Sequence, residues 1–169
     1  DDPSRIDDPT SFDTVLTGRD GTLVRWWQTF DDAEHEEAHR LLREVGCDEL
    51  ADRPLATCSL GERQRVLVAR ALFGAHQVLL FDEPAAGLDP RARIELRELL
   101  KVLSGQGKAI LISSHILTEL AEICNGVIII ERGRILRAGN LDTVLHEEVP
   151  RRTVHIRVLH KPDAVHKRL

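Results

Sequence analysis

The sequence predicts an α/β fold with a mostly parallel sheet flanked by helices, because two short apolar runs are separated by a clear helix start. The runs over 78–81 and 109–113 have the length and composition of buried strands. Asp89 and Pro90 lie between them and mark a helix start, since a carboxylate caps a helix and proline suits its first turn. A strand, a helix and another strand in this order are typical of a parallel βαβ unit.

The other elements follow from periodicity and turn residues. Residues 23–30 form a short apolar stretch with both tryptophans, and a helix capped by Asp31 or Asp32 then runs as far as Gly46. The run over 78–81 is expected to be buried on both faces. The remaining predicted elements are a helix over 61–73, the Asp89 helix as far as Leu103, a helix over 116–124, a hairpin turning at 131–134, a short helix capped by Asn140 and a strand over 154–158.

Composition and charge exclude several classes of protein. The 169 residues are 42% hydrophobic and 30% charged, which is enough to build a core, and no apolar run is long enough to span a bilayer. The net charge of −5 argues against binding a nucleic acid by charge. The three cysteines form no C-x-x-C pair, which argues against a disulfide framework or a structural zinc site and fits a reducing compartment. The sequence contains no methionine, so either its first residue was removed or it is a piece of a longer protein, and its motifs lead us to expect the second.

Two carboxylates end the first predicted strand. Asp82 and Glu83 lie at its carboxyl end, where the ligands of parallel sheets bind. One carboxylate there can hold Mg²⁺ through water, and the other can act as a general base on an attacking water. His115 follows the second strand and can hydrogen-bond a phosphate oxygen or that water. A solvated acidic turn and an incidental histidine are the structural alternatives.

A second candidate site lies at the start of the helix over 61–73. Ser59 and Gly61 leave backbone N–H groups at a helix start, where the helix dipole favours an anion such as a terminal phosphate. The alternative is a plain helix start, in which Ser59 and Glu62 form a capping box. The two interpretations are compatible, because a capped helix start is what such an anion site is built from.

Four motifs in this order resemble the nucleotide-binding domain of ABC-type ATPases: CSLGERQRV, VLLFDEP, AGLD and SSH. The resemblance covers about residues 10–145 and implies a P-loop NTPase-like fold. It implies that Asp82 is the Walker B carboxylate, which holds Mg²⁺ through water, and that Glu83 and His115 are catalytic. It also implies a signature motif that contacts ATP bound to a partner domain, formed by Ser59, Leu60, Gly61 and Glu62. A D-loop is implied as well, formed by Ala86, Gly87, Leu88 and Asp89.

The sequence departs from the family in two respects. It contains no G-x-x-x-x-G-K-[ST] phosphate loop, since its only Gly-Lys pair, Gly107-Lys108, is followed by Ala109 and comes after the carboxylates. The signature has Cys58 and Leu60 where Leu and Gly are usual, and Leu60 adds a side chain where the backbone should approach phosphate. We therefore expect an N-terminally truncated domain that binds ATP poorly by itself.

The resemblance also implies a domain organisation. Residues 1–145 would form a partial nucleotide-binding domain, with a helical signature subdomain over about 24–73 and a catalytic core over about 74–145. Residues 146–169 would form a C-terminal β extension.

The function that the resemblance implies is to couple ATP binding and hydrolysis to transport across a membrane. The implied ligands are ATP and Mg²⁺, and the implied partners are a second nucleotide-binding domain, in a homo- or heterodimer, and transmembrane permease subunits. No nucleic acid is expected, and the implied location is cytoplasmic, peripheral on the inner face of the cell membrane. The alternatives are a non-transport ABC-type ATPase or a degenerate partner that supplies only the signature motif in trans.

One further motif has a competing interpretation. His35, Glu36 and His39 match the H-E-x-x-H pattern of zinc proteases, which places two histidines on one face of a helix. Glu37 puts a charge inside the pattern, no third ligand follows at a recognisable spacing, and the surrounding residues are charged. We therefore expect an exposed helix face in which both histidines are solvated.

Overall fold

The computed structural model describes residues 8–22, 28–116 and 120–146. Its helices and strands, in chain order, are α1 Ser11–Leu16, α2 Asp32–Glu44, α3 Leu60–Leu72, β1 Val78–Asp82, α4 Pro90–Gly105, β2 Ala109–Ser113, β3 Gly126–Glu131, β4 Arg134–Asn140 and α5 Leu141–His146. Short 3₁₀ turns at Asp48–Leu50 and Leu55–Thr57 lie between α2 and α3. The chain divides into two compact units between Ile123 and Cys124. The domain limits predicted at residues 73 and 145 stay predictions.

The first three helices pack around a shared apolar core. Asp31 caps α2 in a full capping box with Glu34, which confirms the helix start predicted there. Helix α3 begins at Leu60 and ends at Leu72, one residue earlier at each end than predicted, because Phe73 has an extended backbone. The core side chains include Leu16 of α1, Leu42 of α2 and Val66 of α3, all fully buried.

A loop after α1 is tied to the end of α3. The Arg70 guanidinium donates to the Thr17 hydroxyl at 2.9 Å and to the Thr22 carbonyl at 2.8 Å. A Cβ added at Gly18 would lie 2.0 Å from the Arg70 carbonyl oxygen. Gly18 therefore lets the loop run against the backbone of α3, which no larger residue could do without moving it.

The predicted βαβ unit is confirmed. Strands β1 and β2 are parallel, with Val78 opposite Ala109 and Asp82 opposite Ser113. Asp89 caps α4 by accepting from the N–H groups of Arg91 and Ala92. The helix continues two residues beyond the predicted end at Leu103.

The expectation that β1 is buried on both faces was wrong. Leu79 and Phe81 are buried against the core, but Val78 and Leu80 are 65% and 69% exposed. Successive side chains of a strand point to opposite faces of the sheet, and the described residues cover only one of these faces. Leu111 of β2 is exposed as well.

The second unit contains the predicted hairpin. Strands β3 and β4 are antiparallel, and Arg132 and Gly133 turn the chain with positive φ at both residues. This backbone suits a tight hairpin, since paired positive φ angles match the twist of the flanking strands. Val127 packs with Leu141 and Val144 of α5, which starts directly after Asn140.

The sequence predictions that fall wholly or partly outside the described residues are the apolar stretch over 23–30, the middle of the helix over 116–124, the strand over 154–158 and the C-terminal β extension over 146–169. Among the helices of the described ranges, none has the length and apolar character that crossing a membrane requires.

Candidate functional site

The carboxyl ends of β1 and β2 bring the two predicted acidic residues against the SSH segment. Asp82 is the last residue of β1 and lies opposite Ser113, the last residue of β2. Glu83 follows with a φ of 46°, a left-handed backbone that a non-glycine residue adopts only at some cost. The Glu83 N–H donates both to the Ser113 carbonyl, at 3.1 Å, and to the Ser113 hydroxyl, at 3.2 Å. These bonds hold the left-handed turn in place.

The Ser113 hydroxyl also donates a short hydrogen bond to Oδ1 of Asp82. It therefore bridges the Asp82 carboxylate and the Glu83 backbone. Sequence reasoning included Ser113 in the SSH motif but gave it no role. The signal that could have found it is the strand register, since two parallel strands of equal length place their last residues side by side.

His115 is held against Glu83 by two contacts to one carboxylate oxygen. Its backbone N–H donates to Oε1 of Glu83 at 3.1 Å, and its ring Nδ1 lies 2.8 Å from the same oxygen. Both side chains reach solvent: 37% of the Glu83 side chain and 74% of the His115 side chain are exposed. The structure thus brings together the two residues predicted to be catalytic, in a position open to a ligand.

The predicted D-loop residues form a compact turn after Glu83. The Ala86 N–H donates to the Glu83 carbonyl at 3.0 Å, and Gly87 has a φ of 72°. A Cβ added at Gly87 would lie 3.0 Å from Cδ2 of Leu60. Leu88 is buried in the core, and Asp89 caps α4. The turn therefore links the acidic pair to α4 and touches the first residue of α3.

The predicted signature residues form a second group, at the start of α3. The Ser59 hydroxyl accepts from the Glu62 N–H at 3.3 Å, and the Glu62 carboxylate accepts from the Ser59 N–H at 2.7 Å. This is the capping box that the sequence allowed, and it engages both N–H groups within the chain. Gly61 lies close to α4, because a Cβ added to it would stand 2.9 Å from Cβ of Ala92.

The capping box leads to a prediction about stability in acid. Hydrogen bonds from the Ser59 N–H and hydroxyl groups hold the pKa of the Glu62 carboxyl below its ordinary value. A carboxyl whose pKa is lower in the folded state than in the unfolded state, where it is about 4.3 for Glu, stabilises the fold at every pH above the unfolded-state pKa. This contribution is lost as the pH falls through the folded-state pKa. We expect the difference in unfolding midpoint between the wild type and Glu62→Gln to be largest near neutral pH. Urea denaturation at pH 7 and at pH 3 checks this, and a difference that stays constant would contradict it.

The H-E-x-x-H segment lies on the exposed and half-buried faces of α2. No cluster of three or more His, Cys, Asp or Glu side chains suited to a metal occurs within residues 8–22, 28–116 and 120–146. His35 and His39 pack on the Phe12 ring, with centroids 5.6 and 4.5 Å away, and both are half-buried. The expectation that they are exposed therefore holds only in part: the His39 side chain is 44% exposed, but Phe12 of α1 covers part of both rings.

The group at the strand ends has a defined chemical capacity. A carboxylate with one oxygen fixed by Ser113 can hold a hydrated divalent cation, and an adjacent carboxylate can accept a proton from a water molecule. An imidazole beside that second carboxylate can orient the same water or a phosphate oxygen. These are the parts needed for attack of water on a phosphoryl group.

The chain is similar to proteins of a known family. Residues 7–86 match the family described as ABC transporter. The chain is 37% identical over 115 residues to the methionine import ATP-binding protein MetN of Lactobacillus delbrueckii subsp. bulgaricus. The aligned residues make up 68% of this chain and 33% of that protein. It is 33% identical over 141 residues to the Nod factor export ATP-binding protein I of Burkholderia lata, which covers 82% of the chain and 46% of that protein. The chain thus spans about a third to a half of the length of these curated relatives.

Solved structures show the same fold. A putative metal-chelate type ABC transporter in an inward-facing conformation superposes with a TM-score of 0.74 at 23% identity, covering 84% of this chain and 56% of that one. The cbiO1 protein from Clostridium perfringens, part of the transporter complex cbiONQ, superposes with a TM-score of 0.69 at 27% identity, covering 85% of this chain and 55% of that one. The similarity extends well beyond the residues that the family match covers.

Proposed function

The chain belongs to the ABC transporter family of ATP-binding domains, and from this premise we propose that it forms part of a site that hydrolyses ATP to drive transport. The single observation that carries the proposal is the arrangement of Asp82, Glu83 and His115 at the carboxyl ends of β1 and β2. The two carboxylates and the imidazole have different hydrogen-bond partners, which suits them to different roles.

Asp82 is the residue that fits Mg²⁺. Its carboxylate is exposed, and Ser113 engages one of its oxygens. Mg²⁺ bound in proteins is often held by one or two carboxylates together with waters and substrate phosphates, so a larger acidic cluster is not required. When bound, this ion would neutralise charge on the phosphate oxygens.

Glu83 is the proposed general base. Its carboxylate would take a proton from the water that attacks the terminal phosphate, and His115 would orient the carboxylate and the water. The left-handed backbone of Glu83 supports this role, because residues at functional sites are often held in strained conformations that the surrounding bonds maintain.

The signature residues at the start of α3 are proposed to contact ATP bound to a partner domain. Ser59 and Gly61 would contact the terminal phosphate of ATP bound to a second nucleotide-binding domain, and Asp89 would link the two sites. Leu60 reduces the room for that contact, since it is 46% exposed at the first turn of α3. The proposed assembly is a homo- or heterodimer on transmembrane permease subunits, at the cytoplasmic face of the membrane. The relatives named above are ATP-binding proteins of import and export systems, which supports permease partners.

The experiment compares two forms of the chain. The 169 residues contain no G-x-x-x-x-G-K-[ST] loop, so we expect no ATP hydrolysis by this chain above that of its Glu83→Gln variant. We expect turnover once an N-terminal segment with the loop is added, a form called the extended protein hereafter. Phosphate release measured with Mg-ATP reports the outcome for both forms.

Two results would contradict the proposal. The first is turnover by the 169-residue chain that the Glu83→Gln change abolishes, since it would show that the phosphate loop is not needed. The second is an extended protein that folds and binds ATP but has no turnover.

A further inference from the structure

We propose that Ser113 is a positioning residue that sets the orientation of the Asp82 carboxylate relative to the Glu83 backbone. The inference deepens the proposed function and rests on it, because it assigns Asp82 to the cation and Glu83 to the water. It concerns the first residue of the SSH motif, to which the resemblance assigns no role of its own. The hydroxyl of Ser113 bonds to both acidic residues, to Oδ1 of Asp82 and to the backbone N–H of Glu83.

The hydrogen-bond capacity of a hydroxyl suits this bridging position. A serine hydroxyl has one proton to donate and lone pairs to accept with. Here the proton goes to Oδ1 of Asp82 and a lone pair takes the Glu83 N–H. The strand register places Ser113 directly opposite Asp82, so the short side chain reaches both groups. With Oδ1 engaged, Oδ2 of Asp82 would be the oxygen available to a hydrated cation.

The bridge has a specific consequence when the hydroxyl is removed. The Glu83 N–H keeps its bond to the Ser113 carbonyl, so the left-handed turn retains a backbone anchor. Asp82 loses the donor that fixes Oδ1, and its carboxylate becomes free to rotate. The loss should therefore appear in the binding of a divalent cation before it appears in the stability of the fold.

The test compares Ser113→Thr with Ser113→Val. Threonine and valine have nearly the same shape and both suit a strand, but only threonine keeps the hydroxyl. Mn²⁺ serves as the probe, and its binding to the 169-residue chain is followed by broadening of the backbone NMR signals next to Asp82. We expect the valine variant to need about tenfold more Mn²⁺ than the wild type, as for other groups that orient metal ligands. The threonine variant should resemble the wild type.

A second readout uses the extended protein. The Mg²⁺ concentration for half-maximal ATPase activity should rise about tenfold in Ser113→Val and be restored in Ser113→Thr. At saturating Mg²⁺ the turnover of the valine variant should approach that of the wild type, because Glu83 and His115 remain in place. A residue with a merely structural role would lower turnover without moving the Mg²⁺ requirement.

The outcomes separate the two proposals. Equal Mn²⁺ titrations for all three proteins would overturn the role of Ser113, whatever the ATPase activity. An extended protein without ATPase activity, combined with the expected Mn²⁺ difference, would contradict the proposed function and support the positioning role. If the amide NMR spectrum shows that the Ser113→Val variant does not fold, Ser113→Ala replaces it, since alanine removes the hydroxyl without adding bulk.

Discussion

Replacement of Glu83 by glutamine is expected to lower the ATPase turnover of the extended protein by about 100- to 10,000-fold, the usual contribution of a general base. Glutamine keeps the size of the side chain and can still contact the His115 N–H through its amide oxygen. It cannot take a proton from water. The loss should therefore fall on turnover, while the affinity for Mg-ATP changes little. Phosphate release and equilibrium nucleotide binding, measured on the same preparation, separate these two effects.

The matched control is Glu98→Gln. Glu98 is an exposed carboxylate of α4 that pairs with Lys101, so the same chemical change is made away from the strand ends. It should leave turnover within about twofold of the wild type, as for most exposed substitutions. If the two variants behave alike, Glu83 is not the base.

Replacement of Gly18 by alanine is expected to destabilise the first unit by about 3 kcal/mol or more, at the upper end of the cost of overpacking. The added Cβ would lie 2.0 Å from the Arg70 carbonyl oxygen, and this neighbour is helix backbone, not a flexible side chain. The loop must therefore move away from α3. That movement would also stretch the hydrogen bonds from Arg70 to Thr17 and Thr22. Urea denaturation followed by circular dichroism measures the change.

Gly105→Ala provides the control for this change. Gly105 is the last residue of α4, and a Cβ added there meets no atom within 4 Å. Alanine in a helix is favoured over glycine, so this variant should be as stable as the wild type or more stable by about 0.5 kcal/mol. A Gly18→Ala protein with the same midpoint as Gly105→Ala would show that the loop does not pack against α3 as described.

Much of the fold could be predicted from local signals. The carboxylate of Asp89 followed by proline marks the start of α4, and the apolar runs on either side give β1 and β2. Two neighbouring strands of one sheet that are joined by a helix usually lie parallel. Their carboxyl ends therefore bring Asp82, Glu83 and His115 to the same edge of the sheet. The proximity of the predicted catalytic pair follows from this topology, although their roles stay predictions.

The parts that sequence reasoning missed depend on the surroundings of an element and not on its own residues. The apolar run of β1 predicts a buried strand, but whether both faces are covered depends on which other elements pack there. Likewise Ser113 looks like an ordinary strand residue until the register sets its hydroxyl beside Asp82. The two histidines of α2 are half-buried because Phe12, from a distant part of the sequence, packs on them.

The close approach between the start of α3 and the turn after β1 has a mechanical consequence. A Cβ added at Gly87 would lie 3.0 Å from a methyl group of Leu60, and a Cβ added at Gly61 would lie 2.9 Å from Cβ of Ala92. Little free space therefore separates the start of α3 from this turn and from α4, so a larger residue at either glycine requires a neighbour to shift. We therefore expect a change in the position of the first turn of α3 to move the turn that follows Glu83 as well.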